Sequence, residues 1–224
     1  MKRIKTVYQL TLISFFLFFS KISICQDFFE GIITYKIDTE LMQEDHLYND
    51  YYSQKYGDTM VVYLHKEGYF KREYIGSGKM GYDWTIYDVT KNEYYGKWKS
   101  MDSIFFYNCN EVITELMSFN KGPDKKILGK NCKSIIVRSF EPKLKENLSQ
   151  IFYYSGDEKV SPDVFSKFKD GYLDKVYSGS KSHILEWEFE QPYVRVKFTA
   201  VSIEKKNLDQ KIFELPKGIP LINY

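Results

Sequence analysis

From residue 29 onward the chain alternates between apolar and polar side chains with a period of two. In FFEGIITYKI, Phe29, Gly31, Ile33, Tyr35 and Ile37 share one face, and Glu30, Thr34 and Lys36 share the other. That period reads as a half-buried β-strand. HILEWEFE sets Leu185, Trp187 and Phe189 against Glu186, Glu188 and Glu190, which read as a solvated face. YVRVKFTAV sets Val194, Val196, Phe198 and Ala200 against Arg195, Lys197 and Thr199. Two hairpins are legible: TMVVYLHKEGYFKREYI turns at Lys66-Glu67-Gly68, and YDWTIYDVTKNEYYGKW turns at Thr90-Lys91-Asn92. SIFFYNC, CKSIIVRSF and SQIFYYS read as further strands.

Helical signals are few. SPDVFSKFKDG offers Ser161 as N-cap, Pro162 at the first helical position and Gly171 as a stop. NEVITELMSF is a weaker candidate, because Val, Ile and Thr resist helix. EDHLYNDYYSQKYG fits either a helix or a polar loop. The pattern predicts a mostly β fold, an antiparallel sheet with one or two short helices laid over it.

Alternation gathers Ile33, Tyr35, Trp84, Ile86, Leu185, Trp187, Val196 and Phe198 on one face. A one-residue slip in any strand would send that strand's residues to the opposite face. Aromatics make up 18% of the chain, with 20 Tyr and 17 Phe, which favours strands. A curved sheet with aromatics on both faces has more apolar surface than one thin core requires. An apolar cavity is then a default binding site, and Tyr35, Trp84, Ile86, Trp187 and Phe198 are the candidate ligand-binding residues. The alternative is a core that these rings simply fill.

The first residues bear on location. Lys2, Arg3 and Lys5 precede a largely apolar run, Leu10 to Phe19, which Lys21 interrupts. The run is shorter than the roughly 20 residues a spanning helix needs, and the order is that of a secretory signal peptide. Ile24 before Cys25 does not suit lipidation, whereas Ser23 and Cys25 are small residues placed for cleavage. The expectation is a signal peptide over residues 1–25, removed after Cys25 without lipidation, and a single domain over 26–224, periplasmic or secreted. The full chain carries 32 basic and 30 acidic residues, net +2. Residues 1–25 hold four basic and no acidic residues, so 28 against 30 leaves net −2. Such a balance gives no electrostatic case for nucleic acid.

Chemistry-bearing motifs are sparse. IGSGKMG, with Gly76, Gly78 and Gly81, has the dinucleotide-binding spacing. It lacks the following helix that would face a pyrophosphate, and reads as a hairpin loop. His46, His65 and His183 show no metal-ligand spacing. Ser180, Ser182 and His183 lie in a turn-like stretch without a nucleophile elbow. Asp157 and Glu158 sit in a polar turn, and Asn147 matches a glycosylation pattern that implies an exposed loop. No catalytic constellation, metal or cofactor is expected. Cys109 and Cys132 are the cysteines of the mature chain; in an exported protein they form a disulfide or remain two buried thiols, and both readings stay open.

FFEGIITYKI, ILGKNCKSIIV and KIFELPKG, in this order after a signal peptide, resemble the secreted GLPGLI-type proteins, relatives of the LolA-like lipoprotein carriers. The middle element is the most telling, with Gly129, Cys132 and the strand from Ser134 to Val137. The likeness runs from about Asp27 to Gly218, although the literal GLPGLI run is absent. It implies an unclosed, strongly curved antiparallel half-barrel with short helices across its mouth. In carriers of this fold the concave face shelters acyl chains. A non-enzymatic exported protein binding a lipid, acyl chain or other apolar ligand is therefore expected. The alternatives are a carbohydrate-binding module or an envelope protein that contacts a partner, with a filled core.

This reading fixes the mature N-terminus at Gln26. Intact-mass measurement of protein from its host should find residues 26–224, and a mass retaining Cys25 with a diacylglyceryl group would overturn it.

Overall fold

The computed structural model describes residues 28–42, 51–52, 54–161 and 163–223. Among these residues thirteen strands form one sheet. A first meander comprises β1 (Gly31–Leu41), β2 (Thr59–Leu64), β3 (Phe70–Ile75), β4 (Tyr82–Asp88), β5 (Glu93–Trp98) and β6 (Ile104–Asn108). The remaining strands are β7 (Glu115–Lys121), β8 (Lys125–Ile127), β9 (Lys130–Glu141), β10 (Glu146–Tyr154), β11 (Glu186–Glu190), β12 (Val194–Lys205) and β13 (Leu221–Asn223). The order is β13-β6-β5-β4-β3-β2-β1-β12-β11-β10-β9-β7, with β8 also on β9. Apart from the parallel β13–β6 pair, all pairings are antiparallel. The sheet is curved and does not close, so the expected unclosed β fold is the observed one.

Both hairpin turns fall where the sequence puts them. Gly68 earns its place in the first: its φ is +96°, and a Cβ there would lie 1.7 Å from Val164 Cγ1.

Between β10 and β11 the chain leaves the sheet as a strap across its concave side. Its regular part is a 3₁₀ turn, Asp170–Tyr172, followed by helix α1, Leu173–Ser180. The expected helix ending at Gly171 is thus displaced. Gly171 has φ +58° and sits before α1, so it lets the chain turn into the helix instead of stopping it. Val176 and Tyr172 pack on Ile135, Val137 and Phe152 of β9 and β10. The strap also reaches the first meander: Phe168 stacks on Tyr87 with centroids 4.5 Å apart, and Asn92 Nδ2 donates to the Lys167 carbonyl at 2.9 Å. At the other edge, Tyr172 Oη donates to the Thr114 carbonyl ahead of β7 at 2.6 Å. A sheet that does not close is therefore tied across its opening by side chains.

NEVITELMSF, the weaker helical candidate, is a strand from Glu115 onward, where β7 pairs with β9. The β-branched residues and the available edge of β9 outweigh helical spacing. Residues 51–52 and 54–56 are helical. Glu186 is buried, contrary to the solvated face expected of it, because Lys125 Nζ and Thr199 Oγ1 both donate to its carboxylate.

The bridge considered for Cys109 and Cys132 is not formed; both thiols are free and buried. Cys109 follows β6 and Cys132 lies on β9, with eight strands between them in the sheet order. Burial, with Asp170 and Glu93 nearby, pushes the Cys109 thiol up, so it resists becoming the reactive thiolate. The cleavage site expected after Cys25 lies outside the described residues. In unreduced protein lacking residues 1–25, thiol titration should find two thiols after unfolding and no fast-reacting thiol in the native state. Zero thiols after unfolding would contradict this arrangement.

Candidate functional site

The inner rows of the strands and the strap enclose a cavity of about 440 Å³. Its floor is an aromatic ladder across three adjacent strands. Phe152 lies opposite Trp187, and Trp187 opposite Phe198. Their centroids are 6.2 and 5.0 Å apart, and the planes tilt by 6° and 13°. Trp187 Nε1 donates to Gln150 Oε1 at 3.2 Å, which fixes the indole and satisfies its only donor. The facing wall comes from β2 and β3, with Met60, Val62, Phe70, Arg72 and Tyr74. At the mouth, Val112, Ile113 and Leu144 line the cavity and remain exposed, leaving an apolar rim.

Of the five sequence candidates, Tyr35, Trp187 and Phe198 line this cavity. Trp84 and Ile86 do not; they are on the outer face. The register of β4 against β5 shifts between Tyr82 and Trp84, so Asp83 is an extra residue. This bulge keeps Tyr82 inside, brings Thr85 and Tyr87 in behind it, and turns Trp84 and Ile86 outward. There Ile86 packs with Tyr95 and Ile104 beneath Leu215 and Ile219 of the C-terminal segment. Ile33, Leu185 and Val196, placed on the same face by alternation, join the main core.

One end of the cavity is capped by Tyr56. Its ring meets Phe198 edge-on at 5.5 Å and Phe189 at 6.1 Å. Lys55 beside it holds its ammonium 5.1 to 5.9 Å from the rings of Tyr51, Tyr52, Tyr56 and Tyr82. Burial lowers this lysine to about 8. The glycine loop between β3 and β4 seats the cap. Gly78 N–H donates to the Gln54 carbonyl at 2.9 Å, and a Cβ on Gly81 would lie 2.1 Å from that oxygen. The loop is a hairpin connection, as its context implied, and its glycines admit a backbone.

At the other end stand Phe168, Tyr177 and His183. Tyr35 Oη donates to the Ile184 carbonyl at 2.5 Å. Its phenol is pushed up mainly by burial, and Tyr177 is raised to about 12 for the same reason, so both are neutral donors. Ser182 Oγ donates to the Glu158 carbonyl at 3.1 Å and Ser180 Oγ to the Ser182 carbonyl at 3.0 Å. Both hydroxyls are committed to the backbone. Glu158 is buried and takes hydrogen bonds from Lys130 and Ser155. His65 faces Glu30, and His46 lies outside the described residues. Among the described residues no three His, Cys, Asp or Glu side chains gather as metal ligands.

Sequence reasoning missed Arg72, Tyr56 and Lys55. The signal for Arg72 is present in FKREYI, since an arginine occupies the inward row between Phe70 and Tyr74. Nothing local points to Tyr56, because the rings it packs against, Tyr74, Tyr82, Phe189 and Phe198, are all distant in sequence.

His183 Nε2 is buried without a hydrogen-bond partner, and burial lowers the imidazole to about 3. Between about pH 6.5 and 3 the unfolded chain takes up a proton that the folded chain refuses. Stability should therefore fall with pH across that window, by about 1.4 kcal/mol per unit well below 6.5. Its ring sits among Phe29, Phe165 and Tyr177. His183→Phe should fold and remove this part of the slope, as read by urea unfolding at pH 6.5 and 4.5. An unchanged slope would show that the imidazole is protonated in place.

No family model matches the chain and no curated protein is significantly similar to it, so the site is read from its own geometry.

Proposed function

We propose that this is an exported, non-enzymatic, LolA-like protein that binds a lipid, acyl chain or other apolar ligand in its half-barrel. The observation that carries the reading is the cavity of about 440 Å³ beneath the Phe152–Trp187–Phe198 ladder. Its volume falls within the range of small-molecule sites, about 300–1,000 Å³. The strap fills one end of the concave face with Phe165 and Phe168, both fully buried, and leaves the rest open. An apolar chain entering past Val112, Ile113 and Leu144 would exchange water for ring faces, the favourable direction of the hydrophobic effect. The hydroxyl of Tyr35 is bonded to a backbone carbonyl, and that of Tyr107 to Asp170. Their rings therefore offer apolar surface without stranded donors. The carbohydrate-binding and partner-binding alternatives have less support, because the aromatic rings that could stack on a sugar face the interior.

Neutral N-phenyl-1-naphthylamine should bind delipidated protein at one site and quench Trp187 fluorescence. Trp187→Ala should weaken binding by roughly tenfold or more, given the ~0.5–1.5 kcal/mol of a ring pair on top of lost burial. Trp84→Ala should leave affinity unchanged, since Trp84 is on the outer face. A protein that yields no extractable lipid from its host and binds no probe would overturn the carrier reading.

A further inference from the structure

Arg72 is the feature that an apolar cavity does not explain. It lies in the inward row of β3 and lines the cavity. Its Nη1 donates to Tyr94 Oη at 3.3 Å, a long bond for a charged donor. Its Cζ is 4.6 Å from the Phe70 ring centroid and 5.9 Å from that of Trp187. Trp187 is on β11, with three strands between it and β3 in the sheet order, so the guanidinium spans the floor and the wall across the concave face. Burial works against the cation, and the surrounding phenols of Tyr94, Tyr74 and Tyr177 outweigh that effect, so it stays protonated.

Among the described residues no carboxylate forms an ion pair with it. The acids that line the cavity are otherwise engaged. Asp170 accepts from Tyr107 Oη at 2.8 Å and acts on Arg72 only through space, and Glu190 pairs with Arg195 at 2.5 Å. Glu141 accepts from the Lys143 N–H at 3.1 Å. Glu158 acts on Tyr35 from a distance and is held by Lys130. Of the other titratable groups there, His183 is neutral and Lys55 sits at the capped end. A half-buried guanidinium held by the phenols of Tyr94 and Tyr74 and by two ring faces has donors to spare and no ion-paired carboxylate.

We propose that the cavity takes an amphipathic anion, its acidic head group held by Arg72 and its apolar tail lying along Trp187 and Phe198. This rests on the apolar-binding reading and adds the head group to it. The planar fork of arginine matches an oxyacid in two parallel hydrogen bonds, which suits a carboxylate and equally a phosphate monoester. The head group would supply the ion pair that the guanidinium lacks, while the indole under the tail keeps its own bond to Gln150.

The test is competition against N-phenyl-1-naphthylamine on delipidated wild-type protein at pH 7, with laurate, dodecyl phosphate, 1-dodecanol and dodecylamine. At least one of the two anions should bind tenfold or more tighter than dodecanol, with dodecylamine weakest; which anion leads identifies the head group. Arg72→Gln should bring the anions to within about twofold of dodecanol measured on the same variant, and Arg72→Lys should retain part of the preference. Because the comparison of head groups uses the wild-type chain, it stands even where a variant unfolds. Equal affinities for laurate, dodecyl phosphate and dodecanol would overturn the head-group assignment and leave apolar binding intact. Failure of the neutral probe to bind at all would overturn both.

Discussion

Everything about this cavity depends on the pairing of β1 with β12. The ladder runs from Gly31 opposite Lys205 to Leu41 opposite Val194 and splices two meanders, β1–β6 and the β9–β12 half, into one sheet. The two strands are more than 150 residues apart at these pairs, so the chain closes a long loop to make them. Closure entropy grows only slowly with loop length, and a long two-strand ladder with buried residues on its inner face can offset it. A right-handed twist accumulated over the strands flanking this seam turns β3 toward β11. Arg72 and Trp187 come within ring-contact distance for that reason alone. Without the seam, each half would expose its apolar row to water.

Tying the open edges through the strap has a second consequence. Full closure of the sheet would fix the interior by strand number and tilt. Here the interior is set by how far Phe165, Phe168 and Tyr177 reach, and they occupy one end only. Phe165 stacks on Tyr177 at 4.1 Å, Phe168 on Tyr87, and the Tyr107–Asp170 bond anchors the strap beside them. The opposite end is covered by the short helical stretch carrying Tyr56, admitted by the glycines of the β3–β4 loop. The cavity is the remainder between two independent covers, neither of them part of the sheet.

The strands were legible because their signal is local: period two, β-branched and aromatic residues, and turn residues at Gly68 and Asn92. What the sequence hid is non-local. The bulge at Asp83 adds one residue, and a strand's face assignment has no memory across it. Trp84 and Ile86 alternated correctly with each other and still belonged outside. Glu186 looked like its neighbours Glu188 and Glu190, and Lys125 from β8 together with Thr199 from β12 distinguishes it. The strap helix was misplaced because Ser161, Pro162 and Gly171 are genuine local preferences; the packing of Val176 and Tyr172 on β9 and β10 set the helix further along. For the site, the ladder residues Trp187 and Phe198 were readable from alternation, whereas the rings that Tyr56 packs against are distant in sequence.

An inward arginine is what a stable, empty half-barrel would not choose. Its neighbours across the ladder are Val62 on β2 and Thr85 on β4. An aliphatic residue there could pack between Val62 and the ring of Phe70, and buried charges replaced by well-packed apolar groups commonly leave proteins as stable or more so. Contacts with two ring faces recover part of the desolvation cost, and the neutral phenol oxygens of Tyr94 and Tyr74 recover less than a carboxylate would. Natural chains break local rules at positions where something other than stability is selected. In this fold the break coincides with the wall of the cavity, opposite its aromatic floor, where a bound molecule would touch both. The same sheet curvature that leaves the cavity open thus sets a fixed positive charge against its apolar floor.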